Sequence, residues 1–592
     1  MKKLVSLALV SAMGLSLLAG CGGGKPAESA APADSSAPAA EGFNLNVCVA
    51  SEPQTIDPAL NSAVDGAIMT QHMFEGLMKW ADSGEAIEGV SNATQAKLVE
   101  GQAKSYEKKD NGDGTVTYTF KLRDDIKWSD GKDVTAGDFV YAWRRLATPA
   151  TAADYCYMID MVKNYDVVNA GTPTGEMETV KDADGNEVQQ EKMDYADPSE
   201  LGVSAPDDKT FVVELTYDCP YFLEVCAFPA TLPVREDVVS ANPDGWTHDV
   251  ATYISNGAYT LTQWDHNAQI VMAKNEHYYD ADKMGPDTIT FKLMDNDNAI
   301  LTSYNSGELD FIENVPVDEI PTLLGDGKLS IVPYIGTYYV CYNTEAAPFD
   351  DWRVRKAFTL AIDSQYIVEN VTQTGQLPAT GFVPSGVSDV DATADFRTAG
   401  GDYWTAPTTD EQYQKNVAEA KQLLADAGYP DGAGFPTVTY TYNTNDNHKK
   451  IGEALQQQWQ TALGVSVKLE NQDWSVFLEN RKQGNYQIAR NGWIADYNDP
   501  ISFLDMWLTG GGNNDAQYSN ADYDAAIAEA KSTADPAARM AAMHKAEDQI
   551  IGKDWALGPI YFYTQKYMLN DAVKGMYYTP LGYFFFGNTT KG

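Results

Sequence analysis

Residues 4–18 form one predominantly apolar run behind the basic start Met1-Lys2-Lys3. At about fifteen residues the run is shorter than the roughly twenty that cross a bilayer core, and it has the layout of a secretory leader. It ends Leu18-Ala19-Gly20-Cys21, and from Gly22 to about Gly42 the chain is Gly, Ala, Ser and Pro with few charges. Such a segment buries too little surface to offset its ordering entropy, so a flexible tether is expected over 21–42. No later stretch holds eighteen consecutive apolar residues. The mass of the chain is therefore expected to fold outside the cytoplasm.

The Leu-Ala-Gly-Cys ending resembles the bacterial lipoprotein signal. That resemblance implies cleavage of residues 1–20 and lipidation of Cys21, with acyl chains worth about 0.8 kcal/mol per buried CH₂ as the sole membrane attachment. The 592 residues carry 84 acidic against 42 basic side chains, a formal net charge of −42. Nucleic acid and anionic membrane surfaces are excluded as partners, because both need clustered Lys and Arg. At about 150 residues per domain the length suggests three or four domain-sized units. Tyr, at 34 residues, dominates the aromatics and suits adaptable binding surfaces, though Tyr-rich cores exist too.

Five cysteines follow Cys21: Cys48, Cys156, Cys219, Cys226 and Cys341. No CxxC occurs; Cys219 and Cys226 can pair, but their spacing does not force it, and buried thiols are the favoured reading. Six His without HExxH or a Cys/His cluster support neither a metal centre nor a cofactor. There is no GxxxxGK[ST] and no GxSxG, and the Asp/Gly cluster at 110–114 lacks calcium-loop spacing. The residues give no positive catalytic signal.

Periodicity predicts strands near 45–51, 210–215, 270–273 and 288–293, a helix over 68–80, a hairpin over 106–122 turning at 110–114, and a helix over 134–146. Residues 171–200 read as a polar surface excursion. Beyond about residue 339 helices (354–363, 411–428, 449–463) alternate with strands (438–442, 465–469), which points to an α/β layer with parallel pairing.

Several stretches together resemble the family-5 extracellular solute-binding proteins, the oligopeptide- and dipeptide-binding subunits of ABC importers. They are Glu52-Pro-Gln-Thr-Ile-Asp57-Pro58, Phe74-Glu-Gly-Leu77, the run from Tyr118 through Lys127-Trp-Ser-Asp-Gly131 to Trp143, Leu201 to Pro206, Ser255 to Tyr259, Tyr342-Asn-Thr344 and Arg353 to Ala357. Asn471-Gln-Asp-Trp474, Arg481 and Ala489-Arg-Asn-Gly-Trp-Ile-Ala-Asp-Tyr497 bring the likeness nearest to the oligopeptide binders. The resemblance implies a two-lobed, periplasmic-binding-protein-like α/β fold (type II, cluster C) with a two-crossover hinge. It puts lobe I at 43–74, 200–338 and 566–592, a subdomain inserted at 75–199, and lobe II at 339–565.

It also implies a binding protein rather than an enzyme: a lipid-anchored monomer that captures short peptides and delivers them to permease subunits served by a separate ATPase. By position, Asp496 is expected to hold the peptide α-amino group. Arg490, His448 and Arg481 are expected near its C-terminal side, His448 taking up charge near neutral pH. Trp474, Trp493 and Tyr155 are expected as pocket walls, Gly492 where backbone approaches ligand, and Tyr339 and Asn343 against peptide backbone. Two charged positions of the oligopeptide binders are occupied here by Ser62 and Gln373, which leaves preferred length and side chain open. An oligosaccharide, a nickel complex or a signalling peptide remains an alternative cargo, and a secreted hydrolase or a sensor a more distant one.

Overall fold

The computed structural model describes residues 42–592 apart from 50, 182–186 and 392, so the leader, Cys21 and the tether through residue 41 lie outside the described residues. Among the described residues no helix is long and apolar enough to cross a membrane.

Two strands of 13 residues each, Ser330–Tyr342 and Leu557–Leu569, lie antiparallel at the centre of the main sheet. At about 3.3 Å per residue each covers roughly 43 Å, enough to run from one lobe into the other. Their pairing is interrupted between Pro333 and Thr337. Pro333 has no N–H to give to a ladder, and Ile335 instead donates its N–H to Pro580 and accepts from Ala495.

On one side of this pair the strand Phe43–Cys48 runs parallel to Pro286–Lys292 and Phe311–Ile312. On the other side Ile488–Ile494 pairs antiparallel with Ser330–Tyr342, and Val438–Asn443 pairs parallel with both Val467–Gln472 and Ile488–Ile494. The expected parallel α/β layer is thus present, but it joins the central pair through an antiparallel contact. The helix Asp446–Leu463 crosses between the two parallel strands and buries Ile451, Leu455 and Trp459.

The helix expected over 68–80 is Val64–Met73 instead, and Met78–Ala86 is a strand paired with Ala93–Glu100. The helix ends where Phe74 turns extended, and Gly76 beyond it lies against the Cys226 carbonyl, 2.5 Å from where a Cβ would stand. The hairpin forms as read: Ala103–Asp110 and Val116–Leu122 pair antiparallel around Gly112 and Gly114, both at positive φ. Residues 171–200 hold a largely exposed two-stranded hairpin, Thr172–Lys181 with Glu187–Asp194. Cys48, Cys156, Cys219, Cys226 and Cys341 are all free thiols, four of them buried.

One sequence motif proves architectural. Asp57 is 1 % exposed and takes both prongs of the Arg145 guanidinium at 2.9 and 2.7 Å, with the Trp246 indole N–H donating at 3.0 Å. This fork ties the first segment to the helix Ala136–Ala147, whose start is closed by a Thr135/Asp138 capping box. Removing one partner of such a buried pair costs about 3–5 kcal/mol.

Candidate functional site

A cavity of about 380 Å³ lies where the lobes face each other across the central strands. The lobes close on it through a seam of direct contacts. Lys531 bridges Asp160 and Asp505, Lys482 pairs with Asp154, and the rings of Tyr221 and Tyr497 stack at 4.1 Å.

Asp496 stands just past the end of Ile488–Ile494 and lines this cavity at 7 % exposure. Tyr155 donates its hydroxyl proton to one carboxylate oxygen at 3.0 Å and Ser502 donates to the other at 3.2 Å. The Asp496 N–H in turn donates to the Ser502 hydroxyl oxygen at 2.8 Å. Trp493 donates its indole N–H to the Ser502 carbonyl at 2.7 Å, which locks the ring between strand and cavity. Burial holds the Asp496 carboxyl well above the usual carboxylate range, and the Tyr155 and Ser502 hydroxyls only partly offset it. Among the described residues no cation pairs with it. A carboxylate so enclosed costs several kcal/mol to keep ionised until a positive charge arrives.

Arg490 lies six residues earlier, roughly 20 Å of extended strand away. Its guanidinium sits over the Tyr338 ring at 5.3 Å, donates to the Tyr563 hydroxyl at 3.5 Å, and meets no carboxylate among the described residues. His448, in the first turn of Asp446–Leu463, places Nδ1 3.2 Å from the Tyr338 hydroxyl. Burial, then Arg490, Lys566 and Arg481, push its pKa well below the ordinary histidine value. His448 is therefore neutral at neutral pH, contrary to the expected uptake of charge.

Arg481 also lines the cavity, paired there with Asp515 at 3.3 Å and donating to the Asn491 side chain. Three other expectations need correction. Gly492 borders the cavity, but the space a Cβ would take is held by the Tyr563 hydroxyl, 2.4 Å away, so the glycine makes room for a protein side chain. Tyr339 is 0 % exposed and packs edge-on against Phe382 and Trp507, away from the cavity. Asn343 donates to the Gly484 and Tyr486 carbonyls at 2.9 and 3.1 Å and serves as a loop brace. Trp474 and Tyr155 do line the cavity.

Sequence reasoning passed over Asp65, Glu313, Tyr563 and Lys566, which also line it. No motif marks them; the fold alone brings them together. No group of three or more His, Cys, Asp or Glu side chains among the described residues is arranged to hold a metal ion.

With this geometry in view, the chain can be set against known proteins. The model described as "Bacterial extracellular solute-binding proteins, family 5 Middle" matches residues 97–515. The oligopeptide-binding protein OppA of Bacillus subtilis is 33 % identical over 92 % of this chain and 92 % of its own. The periplasmic OppA of Salmonella typhimurium is 35 % identical over 89 % of this chain and 88 % of its own. The crystal structure of Haemophilus influenzae OppA in complex with RPPGFSPFR superposes with a TM-score of 0.80 at 32 % identity, covering 93 % of this chain and 99 % of that one. Two lobes closed over a cavity and a likeness that runs nearly end to end agree: this chain belongs to the family-5 bacterial extracellular solute-binding proteins.

Proposed function

We propose that this chain is the extracytoplasmic receptor of an ABC importer, capturing short peptides in extended form between its lobes and presenting them to the permease. The observation that carries the reading is Asp496: a buried carboxylate, aimed into the interlobe cavity, hydrogen-bonded by two hydroxyls and paired with no cation. An α-amino group supplies the missing charge. Arg490, with its planar fork over Tyr338, takes the carboxyl end, and neutral His448 stands beside it as a hydrogen-bonding partner. Trp493, Trp474 and Tyr155 give flat walls that accept many side chains.

In this reading 43–74, 200–338 and 566–592 form one lobe, 75–199 its inserted subdomain, and 339–565 the other lobe, while lipid on Cys21 holds the monomer at the membrane. The ATPase is a separate chain, and the captured ligand leaves chemically unchanged.

The test is to purify the protein from its native cells, extract what accompanies it, and identify it by mass spectrometry. A ladder of short peptides of mixed sequence is the expected result. A single sugar, a metal chelate or one defined peptide would move the cargo while keeping the receptor role. Cleavage of a supplied peptide would replace the reading with a hydrolase.

A further inference from the structure

The cavity has a second acidic wall, remote in sequence from Asp496. Asp65 sits in the first turn of the helix Val64–Met73, and Glu313 follows the short strand Phe311–Ile312. Both line the cavity from the first lobe. Both Asp65 carboxylate oxygens are buried and accept no hydrogen bond, as is Glu313 Oε1; Glu313 Oε2 accepts only from the Gln565 amide at 3.2 Å. The Trp474 indole N–H is buried beside Asp65, near enough to favour its charged form, but outside hydrogen-bonding geometry.

Such atoms are costly in a folded protein. A buried carboxylate oxygen ordinarily finds a donor, and one left without a partner carries its full desolvation penalty. Elsewhere on the same cavity the chain does supply partners: Lys482 for Asp154, Arg481 for Asp515. At this wall Lys566 acts electrostatically on Glu313 but forms no ion pair with either carboxylate among the described residues. Burial pushes Asp65 up to about 6. Burial pushes Glu313 up to about 8, with Lys566 pulling it down and Asp65 pushing it further up. A second cation entering here would relieve both groups. At the helix start the Asp65 and Gly66 backbone N–H groups favour negative charge on Asp65 without reaching hydrogen-bonding geometry, so burial still dominates.

The geometry points to Asp65 and Glu313 as a side-chain subsite for the ammonium or guanidinium of a Lys or Arg residue in the bound peptide, with Trp474 flanking its apolar stem. The assignment rests on the peptide reading of the cavity, in which Asp496 is already engaged with the α-amino group. It narrows the substrate class to peptides bearing a basic side chain at one fixed position. A cation entering between two carboxylates and an aromatic face gains charge-assisted hydrogen bonds and a ring contact together.

The experiment uses the full-length protein purified in detergent and titrates tetra-alanine and a scan of tetrapeptides in which one Ala is replaced by Lys or by norleucine. The readout is the Kd ratio of the norleucine to the lysine peptide within each protein, so a general change in affinity cancels. The expected result is one position at which Lys binds about tenfold or more tighter than norleucine, with that ratio falling toward one in both Asp65→Asn and Glu313→Gln. Two variants on separate segments guard against a folding defect in either. A ratio near one at every position in the unaltered protein, or a ratio that survives both substitutions, overturns the assignment while tetra-alanine binding keeps the peptide reading intact. Failure of every peptide to bind overturns the peptide reading and the subsite with it.

Discussion

Asp505 and Asp496 are nine residues apart, equally buried, and treated in opposite ways. Asp505 belongs to the seam, where Lys531 reaches it at 2.9 Å and also meets Asp160 from the other lobe. Asp496 belongs to the cavity, where it receives two hydroxyls and no cation. Two arginines repeat the contrast: Arg481 is paired with Asp515 at 3.3 Å, whereas Arg490 faces tyrosine rings. In the seam every carboxylate has a lysine, Lys531 serving both Asp160 and Asp505. The cavity, although it pairs Asp154 and Asp515, leaves a negative group near one end and a positive group toward the other, the complement of a zwitterionic chain. What sets Asp496 and Arg490 apart is the lack of a charged partner, not burial.

The strongest way to break this comparison is Asp496→Ala. Affinity for peptides with a free amino terminus should fall by about 10²–10³, since a buried charge pair loses about 3–5 kcal/mol with one member. N-acetylated peptides should already bind the unaltered protein weakly and lose little more. Calorimetric titration of both peptide forms checks this, and equal binding of acetylated and free peptides would refute the anchoring role. Next is Arg490→Met, expected to cost about 10–100-fold for peptides with a free carboxylate and much less for their amides.

Lys531→Met tests the seam instead. It strands Asp160 and Asp505, a cost of about 3–5 kcal/mol if the lobes stayed shut. Opening relieves that cost, so small-angle scattering without peptide should show a larger radius of gyration, and peptide affinity should drop although Lys531 touches no ligand.

The smallest effect is thermal. A carboxyl raised in the folded state destabilises that state above its unfolded value of about 3.9, and the penalty fades as pH falls through the folded value. Burial raises Asp496, so Asp496→Asn should raise Tm by roughly 1–3 °C at pH 7 and leave it nearly unchanged at pH 4. A Tm lowered at pH 7 would place Asp496 with the lysine-paired carboxylates of the seam.

The hairpin turn at 110–114 and the α/β layer after 339 were legible because their signals are local, whereas the two-lobed architecture was legible only through the family resemblance carried by motif runs such as 489–497. Asp496, Trp493, Trp474, Tyr155, Arg490, His448, Arg481 and Gly492 all line one cavity. The failures have a common cause. On Ser330–Tyr342 successive side chains face opposite ways, so Tyr338 lies under Arg490 while its neighbour Tyr339 points into the core. A sequence shows that alternation but does not say which face is which. The Asp515 partner of Arg481 was hidden by its distance in sequence, and Gly492 was misjudged because the hydroxyl filling its space comes from Tyr563. Asp65 and Glu313 stand in no motif; their meaning lies in what fails to bond with them.

The two long central strands have a mechanical consequence. Both lobe-to-lobe connections belong to one ladder, held about 4.8 Å apart by hydrogen bonds on either side of the interruption at 334–336. A pair of ribbons fastened side by side resists torsion and shearing but bends readily across its thin direction, like a strap. The motion left to the lobes is close to a single degree of freedom. A ligand that touches both lobes therefore biases that one motion, and a partner that senses the outer surface can read whether the cavity is filled.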